Sequence, residues 1–312
     1  MTRKDMTLFI RKYRPKTLDE FIGHTEFVQN IKTIIDTNPM LLPSKTLYGM
    51  PGIGKSTLVE LIINELQAKH GFDDQDYLKL NASDARGIDT VRDVIRPFIR
   101  HQTRLSNVEM PKILWLEEGE QLTNDAQKAL KAELDRCIGT CICYITTNKA
   151  SDLNDAIIDR CPIMTMNSPD ISAIRKRIDE IVTTEEIDIT PTEIDELITV
   201  HYPSIRSMII DLDRYVDFGK SSFISNNRIA KELFGYIVAG DTKHAFNLTK
   251  NRDIDQRLIL RILMNLIVQS PDIDTAKQFE YAKILCEGDY KIVVGTMAEI
   301  AFRNTVGELV KV

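Results

Sequence analysis

No run in this sequence comes near the ~18 consecutive apolar residues of a membrane-spanning helix, so no membrane crossing is expected. Nor does the opening stretch MTRKDMTLFIRKYRP hold a long apolar run followed by small residues, so no export signal is read there. The expected location is the cytoplasm or nucleoid, or the host cytoplasm for a viral protein. Cysteine is scarce: five in 312 residues, an odd number, which argues for reduced thiols rather than a disulfide framework. Cys137, Cys141 and Cys143 lie close together but lack C-x-x-C spacing and a nearby His, so they read as small buried apolar residues and not as zinc ligands. Positive charge is short as well. A formal net charge of −6 excludes a protein coated in nucleic acid and confines any DNA contact to a local patch. Internal repeats and low-complexity tracts are missing, which removes solenoids and disordered tails.

What is present is ordinary globular composition, 43% hydrophobic and 28% charged, in a chain long enough for two or three domains. Short apolar runs at Thr46–Tyr48, Tyr77–Leu80, Ile113–Leu116 and Cys141–Thr146 alternate with helical patterns. That alternation predicts an α/β domain with a parallel sheet and helices on both faces. Past Ser168 and Pro169 the pattern turns helical over 170–185, 191–200 and 204–218, with Thr190 and Pro191 as a cap and first-turn proline. Phe218-Gly-Lys-Ser-Ser is the linker candidate, and helical spacing resumes from about Asn226. The expected domains are therefore 1–167 (α/β), 168–222 (helical) and 223–312 (helical).

The segment Gly49-Met50-Pro51-Gly52-Ile53-Gly54-Lys55-Ser56 fits G-x-x-x-x-G-K-[ST], follows a strand candidate and opens a helical run at Thr57. Such a loop aims backbone N–H groups and a helix N-terminus at phosphates, with Lys55 reaching the β/γ-phosphates and Ser56 able to ligate Mg²⁺. ATP is the expected ligand. The apolar run at 113–116 ends in Glu117-Glu118-Gly-Glu120, where this fold places a metal contact and a water-orienting carboxylate. Glu117 is assigned to Mg²⁺ and Glu118 to the attacking water.

Taken in order, several strings resemble the small ATPase subunits of replication factor C-type clamp loaders, in the AAA+ class. They are Arg11-Lys-Tyr-Arg-Pro15, the phosphate loop, Leu80-Asn-Ala-Ser-Asp-Ala-Arg-Gly87, Asp125-Ala-Gln-Lys-Ala-Leu130, Ile145-Thr-Thr-Asn148 and Asp159-Arg-Cys161. Tyr202-Pro-Ser-Ile-Arg-Ser-Met-Ile, with Asp211-Leu-Asp-Arg-Tyr215, is most similar to the lid of bacteriophage clamp loaders. The resemblance implies a P-loop AAA+ sheet domain, a helical lid and a helical C-terminal collar. It further implies that Asn148 senses the γ-phosphate, that Arg206 is the lid's sensor arginine, and that Tyr13, Arg14 and Pro15 pack near the adenine. Arg160 would act at the γ-phosphate of a neighbouring subunit. The chain departs from the family in having Glu117 and Glu120 where Asp is usual, and Asp159 where Ser is usual.

Arg92, Arg96, Arg100 and Arg104 recur every four residues, with Arg86 upstream, forming a drifting basic stripe on a helix. No aromatics interleave with them, so the expected contact is with the DNA backbone rather than the bases. Either a solvated face or a DNA surface fits that spacing, and the resemblance favours DNA. The segment Phe98–Met110, with Phe98, Ile99 and Leu105, holds the position from which the family docks on a sliding clamp, core packing being the competing explanation. The function so implied is an ATPase motor subunit that couples ATP binding and hydrolysis to opening a clamp and placing it on primer-template DNA. It would work in a pentamer with like subunits and one non-identical partner. Two alternatives stay open: a weakly hydrolysing structural subunit of such an assembly, motivated by Glu117 and Glu120, and an AAA+ branch-migration helicase.

Overall fold

The structure, a computed structural model, describes residues 8–100, 110–218, 222–250, 254–294 and 297–312. Its centre is one five-stranded sheet: β1 (Lys45–Tyr48), β2 (Tyr77–Asn81), β3 (Lys112–Glu117), β4 (Cys141–Thr147) and β5 (Ile163–Thr165). Their order is β2-β3-β4-β1-β5, with every pairing parallel. Four strands lie where the apolar runs placed them. The fifth was not foreseen, because it has three residues, follows Pro162 and lies at the sheet edge with Ile163 and Thr165 exposed.

Side chains alternate across a strand, so the parallel register sorts each strand into two faces. One face carries Leu47, Ile113, Trp115, Ile142 and Tyr144, and packs with Leu58, Val59, Ile62 and Leu66 of the helix Lys55–His70 and with Ile31 and Ile35 of the helix Thr25–Thr37. The other carries Leu114, Leu116, Cys141, Cys143 and Ile145 against Ala126, Leu130 and Leu134 of the helix Asn124–Arg136 and against Val91 and Ile95. Cys137, Cys141, Cys143 and Cys161 are buried free thiols in this second core. The sheet is thereby covered on both sides, and its inner strands β3 and β4 read as continuous apolar runs for that reason.

The chain divides into two compact units, one of residues up to Ile181 together with Tyr202–Ser207, the other of Val182–His201 with Met208–Val312. The second unit is helical among its described residues. Its helix Pro191–His201 opens on a capping box in which Thr190 N donates to Glu193 Oε2 at 2.8 Å and Glu193 N to Thr190 Oγ1 at 3.3 Å. Of the linker candidate 218–222, residues 219–221 lie outside the described residues. No helix among the described residues is long and apolar enough to cross a membrane.

Candidate functional site

The loop between β1 and the helix Lys55–His70 is built on glycine. Gly52 and Gly54 sit at φ +81° and +104°, backbone that L side chains avoid. A Cβ at Gly52 would lie 2.2 Å from Ser204 Oγ, and one at Gly49 would lie 2.8 Å from Met166 O. The loop therefore turns tightly, with Tyr202–Ser207 closing on it: Arg206 N–H donates to Gly52 O at 3.5 Å. Ser56 and Thr57 follow at the helix N-terminus, where free N–H groups and the helix dipole favour an anion.

Lys55 is the organising cation of this site. Its Nζ donates to Gly49 O at 2.7 Å, Met50 O at 2.8 Å and Asn148 Oδ1 at 2.8 Å. Burial pushes its pKa down to about 8, with Glu120 opposing that shift and Arg206 adding to it. Asn148, one residue past β4, is fixed from the other side by Glu120, whose Oε1 accepts from both Asn148 N and Nδ2 at 3.2 Å. Glu120 Oε2 is buried without a hydrogen-bond partner. Lys55, Asn148 and Glu120 thus form a polar chain, and Glu120 anchors Asn148, a role that reading the sequence did not assign. Its signal was a third carboxylate within four residues of the strand end.

Glu117 closes β3, and Glu118 follows at φ +55°, a left-handed conformation costing about 1–2 kcal/mol in a residue with a Cβ. Strain of this kind concentrates at functional sites. It leaves Glu118 exposed, while Glu117 Oε2 pairs with Lys79 Nζ at 2.9 Å. The hard-oxygen donors Ser56 and Glu117 suit Mg²⁺ chemically. No group of three or more metal-binding side chains gathers among the described residues. That donor set fits an ion held by one or two protein groups and otherwise by phosphate and water.

The other expected residues lie as follows. Arg14 pairs with Glu60 on the helix Lys55–His70, and Tyr13 meets Phe9 edge-on at 5.6 Å and accepts from Arg177 through its carbonyl at 3.0 Å. This ties the entry segment holding Tyr13, Arg14 and Pro15 to the phosphate-loop helix. Arg160 is held by Asp135 in a two-pronged pair, Nε to Oδ1 at 2.5 Å and Nη2 to Oδ2 at 3.0 Å, and donates to Ala156 O at 2.8 Å.

The basic stripe follows Ile88–Thr90, a π turn over Val91–Ile95 and the helix Arg96–Arg100. The wide turn sits beside Pro97, whose ring and missing N–H disrupt ordinary helical bonding. Arg86, Arg92 and Arg100 are exposed, but Arg96 is half-buried, its Nε 2.8 Å from the fully buried Glu133, which Arg136 also engages at 2.7 Å. Phe98 and Ile99 are partly buried against the second core, and Lys112 Nζ donates to Phe98 O at 2.6 Å. Leu105 and Arg104 lie outside the described residues.

Comparison with known proteins agrees with this geometry. Residues 46–168 match the family model described as ATPase family associated with various cellular activities (AAA). The replication factor C small subunit of Methanosphaera stadtmanae is 28% identical over 317 residues, covering 93% of each chain. That of Haloarcula marismortui is 35% identical over 193 residues, 61% of this chain and 57% of the relative. The probable replication factor C subunit 5 of Dictyostelium discoideum is 26% identical, with 96% of this chain and 89% of the relative covered. Among solved structures, the RuvB Holliday junction branch migration motor of Thermotoga maritima superposes with a TM-score of 0.54 at 16% identity, over 92% of this chain and 87% of that one. At that identity the likeness is one of fold. With a P-loop, a parallel sheet and a helical C-terminal region in place, the chain has the P-loop AAA+ fold, with an AAA ATPase domain matched over residues 46–168, and is similar over nearly its whole length to replication factor C small subunits.

Proposed function

We propose that the chain is an ATPase motor subunit of a DNA sliding-clamp loader, using ATP binding and Mg²⁺-dependent hydrolysis to open a clamp and place it on primer-template DNA. The observation that supports this most is the coincidence of a complete phosphate site with similarity to replication factor C small subunits over 93–97% of the chain in three relatives. The shared fold with RuvB supports a branch-migration motor more weakly, at about 15% identity. Like and unlike subunits, a clamp and DNA are the partners this reading requires.

The chemistry is phosphoryl transfer to water, which depends on positioning and charge stabilisation rather than covalent catalysis. Arriving phosphates take over Lys55 from its three oxygen acceptors, and the loop N–H groups hold the remaining oxygens. Asn148, oriented by Glu120, points its amide group at the site of the terminal phosphate. Glu118 orients the water. Ser56 and Glu117 would hold Mg²⁺, which when bound neutralises phosphate charge. Arg206 stands at the loop on the same subunit, and Arg160 serves the site of a neighbouring one.

The test is native mass spectrometry of the chain copurified from its source, followed by ATPase assays with and without clamp and primer-template DNA. A pentamer that binds clamp and whose turnover rises with both is expected. A ring that unwinds junctions and ignores the clamp would replace this reading with the helicase.

A further inference from the structure

Lys79 lies on β2 directly opposite Trp115 on β3, and the period-two alternation puts both on the same face as Glu117. Its ammonium stands 4.0 Å from the Trp115 ring centroid and 2.9 Å from Glu117 Oε2. The aliphatic stem and the aromatic face steer the charge to one place, since an ammonium over an indole ring is attracted by the ring quadrupole. The Glu117 side chain is only 19% exposed, whereas that of Lys79 is 43% exposed and so has solvent to retreat into. Glu117 also reaches one methylene farther than Asp would, which brings its carboxylate within range of a lysine two residues back along the neighbouring strand.

We propose that Lys79 is a resident counter-ion that occupies Glu117 until a divalent cation arrives, setting how much Mg²⁺ the site requires. This rests on the reading of Glu117 as a metal-side carboxylate in a nucleotide site. Two cations cannot share that carboxylate closely: an ammonium and a divalent ion ~5 Å apart repel by ~1–2 kcal/mol even at the dielectric of water. Lys79 therefore raises the Mg²⁺ concentration at which the site fills, and its release from Glu117 uncovers the face of Trp115. Lys79 is a positioning residue in this scheme and touches no reacting atom.

Trp115 is the only tryptophan in the sequence, so its emission reads this event in the full chain. The experiment saturates the protein with a non-hydrolysable ATP analogue in EDTA, then titrates free Mg²⁺ while recording tryptophan emission, for wild type, Lys79→Met and Lys79→Arg. Wild type should show a saturable emission step. Lys79→Met, which keeps a stem against the ring, should lose most of that step and fill at about tenfold lower Mg²⁺, with the metal midpoint read independently by Mn²⁺ competition. Lys79→Arg should stay near wild type. Analogue affinity in EDTA should be the same for all three. Unchanged midpoints with intact analogue binding would overturn the role of Lys79 alone. Weakened analogue binding of Lys79→Met in EDTA would overturn it by making Lys79 a phosphate ligand. No analogue binding by wild type would remove the nucleotide site and this inference together.

Discussion

Asn148 accepts from Lys55 Nζ at 2.8 Å through Oδ1 and donates to Glu120 Oε1 at 3.2 Å through Nδ2, so one amide links the phosphate-loop lysine to a half-buried carboxylate. Glu120 thereby fixes which way Asn148 faces. Asn148→Ala should lower kcat by about 10²-fold, the scale for removing one donor from developing charge, with ADP affinity little changed. Glu120→Ala should act in the same direction but by about tenfold, because the amide remains and only its orientation is loosened. Single-turnover hydrolysis beside ADP titrations checks both. Equal and small effects would mean that Asn148 only ends its strand.

The depressed Lys55 makes phosphate binding pH-dependent. Its pKa of about 8 lies below the ordinary lysine value, so between pH 8 and 10 the unfolded chain binds more protons at this residue than the folded one. Its burial therefore costs stability at neutral pH, and that cost is relieved as pH rises through this window. Nucleotide affinity runs the other way. Phosphates engage the ammonium, so above pH 8 binding must take up a proton, and affinity in EDTA should fall by up to about tenfold per pH unit. Calorimetry in buffers of different ionisation enthalpy should show proton uptake at pH 9 and little at pH 7. Uptake that does not change with pH would place the titration on another group.

Gly52 tests the loop's shape. With φ at +81° and Ser204 Oγ only 2.2 Å from the point a Cβ would occupy, Gly52→Ala adds strain of about 1–2 kcal/mol and forces Tyr202–Ser207 away from the loop. Nucleotide affinity should drop at least tenfold, with Tm lower by a few degrees. Thermal melts with and without ATP analogue separate the two effects: a lower Tm whose ligand-induced rise equals that of wild type would show that the Ser204 approach plays no part in binding.

Glu118 carries the hydrolytic assignment. Glu118→Gln keeps the size of the side chain and removes its charge, so ATP binding should persist while turnover falls at least tenfold. Undiminished turnover would move the water-orienting role elsewhere.

How much of this was legible in the sequence depended on the kind of signal. The strands β1, β3 and β4 have buried centres, β2 is half-buried, and all four announce themselves as apolar runs, while the phosphate loop is a local motif set by glycine geometry and one lysine. Pairings across the fold were not legible. Asp135 is not legible as the partner of Arg160, whose sequence neighbours include Asp155 and Asp159, because it comes from the helix Asn124–Arg136, 25 residues upstream. Arg96 looked like any other member of a four-residue stripe, yet a π turn and the buried Glu133 turn it toward the protein. Lys79 could have been found from strand parity, but only once the β2–β3 register was known.

That pairing also frames the last prediction, which concerns Arg160. Asp135 holds the guanidinium in a planar, two-point grip, and its own carboxyl is held below the usual range by that bond. Such a grip fixes direction without occupying every donor, which is what a residue needs in order to reach a phosphate on an adjoining subunit. Arg160→Ala should leave each subunit's own ATP affinity almost unchanged and abolish clamp- and DNA-stimulated hydrolysis in the assembled oligomer, since an arginine acting in trans contributes ~10³–10⁵ in rate. Asp135→Ala should give a partial loss, because the arginine remains and only its aim is freed. Mixing Arg160→Ala subunits with Glu118→Gln subunits gives the decisive readout: only interfaces that join an intact Arg160 to an intact Glu118 should turn over. Activity should then follow the product of the two fractions rather than either alone. If turnover instead tracks the amount of intact Glu118 regardless of its neighbours, Arg160 plays no part in hydrolysis and its bond to Asp135 is a surface ion pair, whereas no turnover at any mixing ratio would put Arg160 to work within its own subunit.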